Sequence, residues 1–213
     1  MKIAILFSGR ILGFEKSYQN IMNNIVQGNE VDFFISYPKD SDINEMNAFL
    51  ERFEPKEFMK SDEEYFFVKH VYRKTRGSWH NVMCMYLNRK NVIELFKKYV
   101  EENDINYDLV ISYRIDYWIH SKLNLQELVN KSKEGFLCIP DGNDYFGIND
   151  QMAICNMNMM IEYMSVYNSL EYLLDRYKLL DPEVLLKRYI EYKKMKVFRF
   201  PLKTNIIRKK IVK

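Results

Sequence analysis

The chain has 213 residues, 47% of them hydrophobic, with 32 basic and 29 acidic side chains and a net charge of +3. That is about one domain's length with ample apolar material for a core, which excludes global disorder. Only 12 residues are Gly or Pro, so collagen-like and low-complexity classes are excluded too, and the near balance of charge argues against a duplex-DNA binder.

Residues 2–7, KIAILF, are an unbroken apolar run ending in Ser-Gly, the pattern of a strand buried on both faces of a parallel sheet. Phe14, Tyr18, Ile21, Met22 and Ile25 recur at helical spacing over 14–27, with Gly28 where a C-cap glycine belongs. Residues 31–36, VDFFIS, read as a second buried strand, so the chain opens as a βαβ unit. A helix is predicted over 41–52, capped by Ser41 or Asp42 and broken by Pro55. Residues 56–78 are mixed and polar and end in the loop signal KTRGS. Trp79, Val82, Met83, Tyr86, Ile93, Phe96 and Val100 share one face of a long helix over 79–102. Residues 107–113, YDLVISY, form the strongest later strand. A short helix over 122–131, a strand over 136–139 and a turn-rich loop, DGNDYFGIND, follow. Helices are predicted over 151–176 and 182–194, the second with Pro182 at a favoured early position after Asp181, then a last strand over 197–200 and a basic tail from 203.

Strands alternating with helices predict an α/β chain. The expectation is a single Rossmann-like domain over 1–213 with a central, mainly parallel sheet of about six strands. It would stand as a monomer or as part of a multidomain chain. Cys84, Cys138 and Cys155 form no CxxC pair, so neither a disulfide framework nor a zinc ribbon is expected, and the reading is a reducing, cytoplasmic compartment. The first apolar run is too short for a signal peptide, and no stretch approaches the ~18 apolar residues of a membrane span.

In open α/β sheets ligands bind beyond the carboxyl ends of the strands. Ser8-Gly9-Arg10 follows the first strand: Gly lets backbone approach a ligand, and Arg can pair bidentately with a phosphate. The same residues also suit an ordinary turn with a surface Arg. No GxGxxG or GxxxxGK[ST] is present, which argues against a dinucleotide fingerprint or a P-loop. Arg114-Ile115-Asp116-Tyr117-Trp118 follows the strand at 107–113. A charge leaving a buried strand is costly unless it is paired, here with Arg114, or bound to a hard cation. The loop over 141–151 supplies Asp141, Asp144 and Asp150, one of which could coordinate a metal or act as a base on a hydroxyl; the plainer reading is a solvated turn with Asp150 capping the next helix. His70, His80 and His120 lack metal-ligand spacing, although His120 lies four residues beyond Asp116. Met152, Met157, Met159, Met160 and Met164 read as core packing. The tail IIRKKIVK suits a membrane-surface segment, a frayed end or a boundary to a further domain.

Together these segments resemble the nucleotide-sugar-dependent glycosyltransferases of the GT-A fold. The resemblance is carried by ILFSGRILGFEKSY, HNVMCMYLNRKNVIELFKKY, YDLVISYRIDYWI and GINDQMAICNMNMMIEYMSVY, and covers most of residues 1–170. Within that family it looks most like the glycosyltransferase domain encoded by chlorella viruses, which builds capsid glycans in the host cytoplasm. The resemblance implies a UDP-sugar donor, a glycan acceptor and Mn²⁺ or Mg²⁺; the +3 charge and the lack of a dense basic stripe argue against a nucleic-acid partner. It implies Ser8, Gly9, Arg10, Asn81, Arg114, Asp116 and Gln151 as donor-binding residues, Asp116 as the metal ligand and Asp150 as the catalytic base. Tyr113 or Trp118 would flank the base or the sugar. The family's Asp-x-Asp metal motif keeps only its second member, Asp116, because Arg114 stands in the first place. Leu12 occupies a position where relatives often have Arg. The competing expectation is a non-catalytic nucleotide-sugar-binding module of a larger enzyme.

Overall fold

In β1 (Lys2–Ser8) the side chains of Ile3, Ile5 and Phe7 enter one core, and those of Ala4 and Leu6 enter another. Residues of a strand alternate between faces, so a run apolar at every position belongs to a sheet covered on both sides. The computed structural model describes residues 1–62, 79–178 and 181–207 and has that arrangement.

After β1 come α1 (Phe14–Ile21), which continues as a π-helical turn over Met22–Val26, then β2 (Glu30–Pro38), α2 (Ile43–Phe53) and β3 (Glu57–Ser61). Next are α3 (Trp79–Asn103), β4 (Leu109–Tyr113), β5 (Tyr117–Ile119), α4 (Leu125–Lys133), β6 (Phe136–Pro140) and β7 (Met152–Cys155). The described chain ends with α5 (Met157–Met164), a 3-10 turn over Ser165–Ser169, α6 (Leu170–Tyr177), α7 (Pro182–Tyr192), β8 (Lys196–Phe200) and β9 (Thr204–Ile206). Caps set several boundaries. The Asp42 carboxylate accepts from the amides of Asn44 and Glu45 at 2.8 and 3.1 Å at the start of α2. Asp181 does the same for the Val184 amide of α7, with Pro182 at the first helical position.

Seven strands form one mostly parallel sheet in the order β3-β2-β1-β4-β7-β6-β8, and β7 runs against both of its neighbours. Helices α1, α2 and α4 cover one face, where Phe14, Phe49, Phe53 and Val129 share one core with Ile3, Ile5 and Phe7. Helices α3, α5, α6 and α7 lie on the other, where Tyr86, Phe96, Met160, Leu173 and Leu186 share one core with Ala4 and Leu6. β5 and β9 pair separately as a two-stranded antiparallel ribbon.

The α/β class and the mainly parallel sheet agree with the sequence reading; three segments correct it. Residues 151–176 are not continuous helix: Met152–Cys155 is a strand buried at all four positions, and helix begins only after Asn156, whose side chain accepts from the Met159 amide at 2.9 Å. β3 arises inside the stretch read as mixed and polar; it is an edge strand with Phe58 and Met59 exposed, so no apolar run announces it. Part of the basic tail, Thr204–Ile206, is strand β9. The loop KTRGS, His70 and the last six residues lie outside the described residues. Met152, Met160 and Met164 are fully buried, as core methionines should be. Among the described residues no helix is long and apolar enough to cross a membrane.

Candidate active site

Parallel strands β1, β2 and β4 all end at one edge of the sheet. Because β7 is reversed, the residues leading into it come to that same edge. The Arg114 amide donates to the Gln151 carbonyl at 2.9 Å and ties the end of β4 to the start of β7. There the surface opens into a cleft of about 340 Å³. Ser8, Gly9 and Arg10 line it from beyond β1, and Arg114 and Asp116 from beyond β4. Asp150 and Gln151 line it from before β7, and Asn81 from the first turn of α3. The eight residues that the resemblance implies as donor-binding or catalytic thus border one cavity. Gly9 has φ 106°, a region costly for any residue with a Cβ, and its amide donates to the Ser36 carbonyl at 3.0 Å.

The charges of the cleft are paired in a definite way. Arg114 grips Asp116 through Nε to Oδ1 at 2.5 Å and Nη2 to Oδ2 at 3.0 Å, a two-pronged charge-assisted contact. Arg114 is 41% exposed while Asp116 is 14% exposed, so the acid is the sheltered partner. The Arg10 guanidinium reaches Asp40 at 2.6 Å on the open surface. Asp150 is buried, and Arg89 of α3 holds it twice: Nη2 donates to its main-chain oxygen and lies 3.7 Å from its Oδ2. Since β7 rather than a helix follows, Asp150 does not cap a helix; Asn156 does.

Arg89 is the residue that sequence reasoning missed. It is 4% exposed, its guanidinium stands 5.7 Å from the Tyr86 ring and 5.9 Å from the Tyr163 ring, and its Nη1 has no hydrogen-bond partner. The signal was present. Val82, Tyr86, Arg89, Ile93 and Phe96 follow the four-three spacing of a single helical stripe, so a cation interrupts an otherwise apolar face. Its neighbour Asn88 is equally buried, accepting from the Ser36 hydroxyl at 2.9 Å and donating to the Cys84 carbonyl at 2.8 Å in the cleft wall.

Other sequence candidates separate. Tyr113 lines the cleft, but its hydroxyl donates to the Tyr117 carbonyl at 2.8 Å, and burial holds its pKa well above the ordinary value. Trp118 sits on β5 opposite Asn205, away from the cleft lining, and His120 and Asp141 are also outside it. Asp141 pairs with Arg199 at 3.4 Å. His80 and Leu12 do line the cleft. The loop before Asp150 packs tightly on α7. The Ile148 amide donates to the Glu183 carbonyl at 3.1 Å, and a methyl group built on Gly147 would overlap the Glu183 main chain. The Glu183 carboxyl is raised from 4.5 to about 7, first by burial and next by the charge of Asp150.

A divalent cation is bound by carboxylate oxygens, often with substrate phosphates completing the shell. Among the described residues no group of three or more His, Cys, Asp or Glu is placed to hold one. The two acids that line the cleft are each engaged by an arginine, Asp116 through both oxygens. The described residues do not fit the Mn²⁺ or Mg²⁺ that the sequence resemblance implies.

The fold is one shared with nucleotide-sugar transferases. A solved candidate nucleotide-diphospho-sugar transferase from Desulfovibrio desulfuricans G20 matches with a TM-score of 0.54 and 11% identity, over 94% of this chain and 79% of its own. Mouse xyloside xylosyltransferase 1, in its apo form, matches with a TM-score of 0.52 and 7% identity, over 94% of this chain and 85% of its own. Residues 1–210 match the family described as "Domain of unknown function (DUF7796)", and the chain belongs to that family. No curated protein matches it.

Proposed function

We propose that the protein is a glycosyltransferase that takes a sugar from a UDP-sugar donor and passes it to a hydroxyl of a glycan acceptor. The observation that carries the reading is the convergence on one cleft of Arg10, Arg114 and Asp150 from three separate strand ends of a nucleotide-sugar-transferase fold. Breaking the bond from sugar to diphosphate builds negative charge on the leaving group, and preorganised cations are the usual means of lowering such a barrier. Gly9 leaves room for the phosphates to approach the end of β1. In an inverting reaction Asp150 takes the proton of the acceptor hydroxyl as that oxygen attacks the anomeric carbon. In a retaining reaction it holds the donor's sugar hydroxyls instead. The resemblance to the chlorella-virus domains supports a capsid glycan as the acceptor.

One observation favours the second reading, a nucleotide-sugar-binding module without turnover: Asp150 is committed to Arg89 in a buried pair. Calorimetry with UDP, GDP and CMP, followed by a donor-hydrolysis and transfer assay with UDP-sugars, tests both. Selective UDP binding with turnover is the expected result. Binding without any turnover would leave the module, and failure of all three nucleotides to bind would remove both readings.

A further inference from the structure

We propose that this cleft holds the diphosphate of its ligand with guanidinium groups and without a divalent cation, Arg114 occupying the place where the fold's metal would be bound. The proposal rests on the nucleotide-sugar reading above.

The first argument is charge. In an Asp-x-Asp motif two carboxylates offer a dication two negative ligands. Here the pair is Arg114 and Asp116, so the same point of the chain carries no net charge. Each arginine that lines the cleft, Arg10, Arg89 and Arg114, is paired with one acid, Asp40, Asp150 and Asp116, so the cleft offers a dication no surplus of negative charge. A dication entering there competes with a guanidinium for each acid, whereas a diphosphate can take the guanidinium donors that the acids leave unused.

The second argument is geometry. Arg114 contacts Asp116 with the Nε and Nη2 edge of its guanidinium. A guanidinium has five N–H donors, and this contact uses two of them. The opposite edge, Nη1 with the second Nη2 proton, has no protein acceptor among the described residues, and that edge is itself a fork matched to two phosphate oxygens. The side chain is reachable, being 41% exposed. It is also fixed at its root: its amide donates to the Gln151 carbonyl at 2.9 Å, and its carbonyl accepts from the Tyr117 amide at 3.0 Å. Asp116 therefore serves as a positioning residue. In this reading it orients Arg114, which engages both of its carboxylate oxygens.

The experiment is UDP calorimetry on the full chain, once in EDTA and once in excess Mn²⁺, for the native protein and for Arg114→Ala and Arg114→Lys. Uridine serves as a control, and circular dichroism checks the fold of each variant. The native protein is expected to bind UDP with the same affinity, within about twofold, in EDTA and in Mn²⁺. Arg114→Ala should weaken UDP roughly ten- to a hundredfold, the worth of a charge-assisted contact, while leaving uridine unchanged. Arg114→Lys, which keeps the charge but loses the fork, should fall between. An Arg114→Asp variant, which restores the paired acids, should bind UDP in Mn²⁺ more tightly than in EDTA. UDP binding by the native protein that requires Mn²⁺ would overturn this proposal and leave the nucleotide-sugar reading standing. Native affinity for UDP in both the Ala and Lys variants would remove Arg114. No binding of UDP, GDP or CMP in either condition would overturn both.

Discussion

Two buried acids lie towards opposite edges of the same sheet and are treated differently. Asp32, near the start of β2, accepts from the Tyr107 hydroxyl at 2.7 Å and has the Lys56 ammonium 3.6 Å away. Burial first, and then the bond to Asp32, holds the Tyr107 hydroxyl far above its ordinary pKa, so it stays a donor. That charge is neutralised within the fold. Asp150, at the cleft edge, is neutralised by Arg89, yet Arg89 keeps an Nη1 without an acceptor and Arg114 beside it keeps a whole free edge. A buried charge that serves stability is satisfied by its own neighbours. The surplus of donors at the second edge is what a ligand would consume, and the buried Nη1 of Arg89, left unmatched, is costly enough to need a reason.

Substitutions can break this contrast. The largest effect is expected for Asp150→Asn: transfer should fall by ~10²–10⁴-fold while UDP affinity holds, because an amide cannot take a proton from the acceptor. Full turnover with a lowered melting temperature would reduce Asp150 to a structural partner of Arg89. Next is Arg89→Met, which keeps the volume but leaves Asp150 buried and alone; urea unfolding should show a loss of about 3–5 kcal/mol. A loss below ~1 kcal/mol would mean that the two edges do not differ as described. Tyr107→Phe should cost less, about 1.5–3 kcal/mol for a hydrogen bond to a charged group, with no change in UDP affinity. The last effect, read as a slope against pH, concerns Glu183. Its folded pKa of about 7 exceeds the ordinary 4.5, so the native state holds the proton more tightly over that window. Its contribution is present below about pH 4.5 and is lost as pH rises through 7. Melting temperatures measured from pH 5 to 8 should fall less steeply for Glu183→Gln than for the native chain, and identical slopes would rule this contribution out.

The strands that sequence displayed are those buried on both faces. KIAILF, VDFFIS and LVISY are mostly apolar on both faces because helices cover both sides of β1, β2 and β4. β3 was hidden because an edge strand half open to water needs no such run. β7 was hidden for another reason. MAIC is four residues long and adjoins a Met- and Tyr-rich segment of helical spacing, so the period of the helix absorbed it. The site was legible through a general rule, that ligands meet the carboxyl ends of parallel strands, which selected Ser8 to Arg10 and Arg114 to Asp116. Asp150 was selected as well, but for its loop; the strand reversal that brings it to the cleft was not foreseen. Whether Arg114 pairs with Asp116 depends on which side-chain edges meet, and residue order does not encode that. Arg89 stayed unread because an apolar stripe draws attention to its apolar members.

Gly147 adds a constraint of a different order. Its α-hydrogen is all that separates the loop from the main chain at the start of α7, and a single added carbon would act as a wedge there. Backbone cannot retreat as a flexible side chain can, so the wedge would lift either the loop that carries Asp150 or the helix that carries Glu183. The wall of the cleft and a helix behind it are thereby joined at one pivot. Any viable drift in the sequence must pass around position 147.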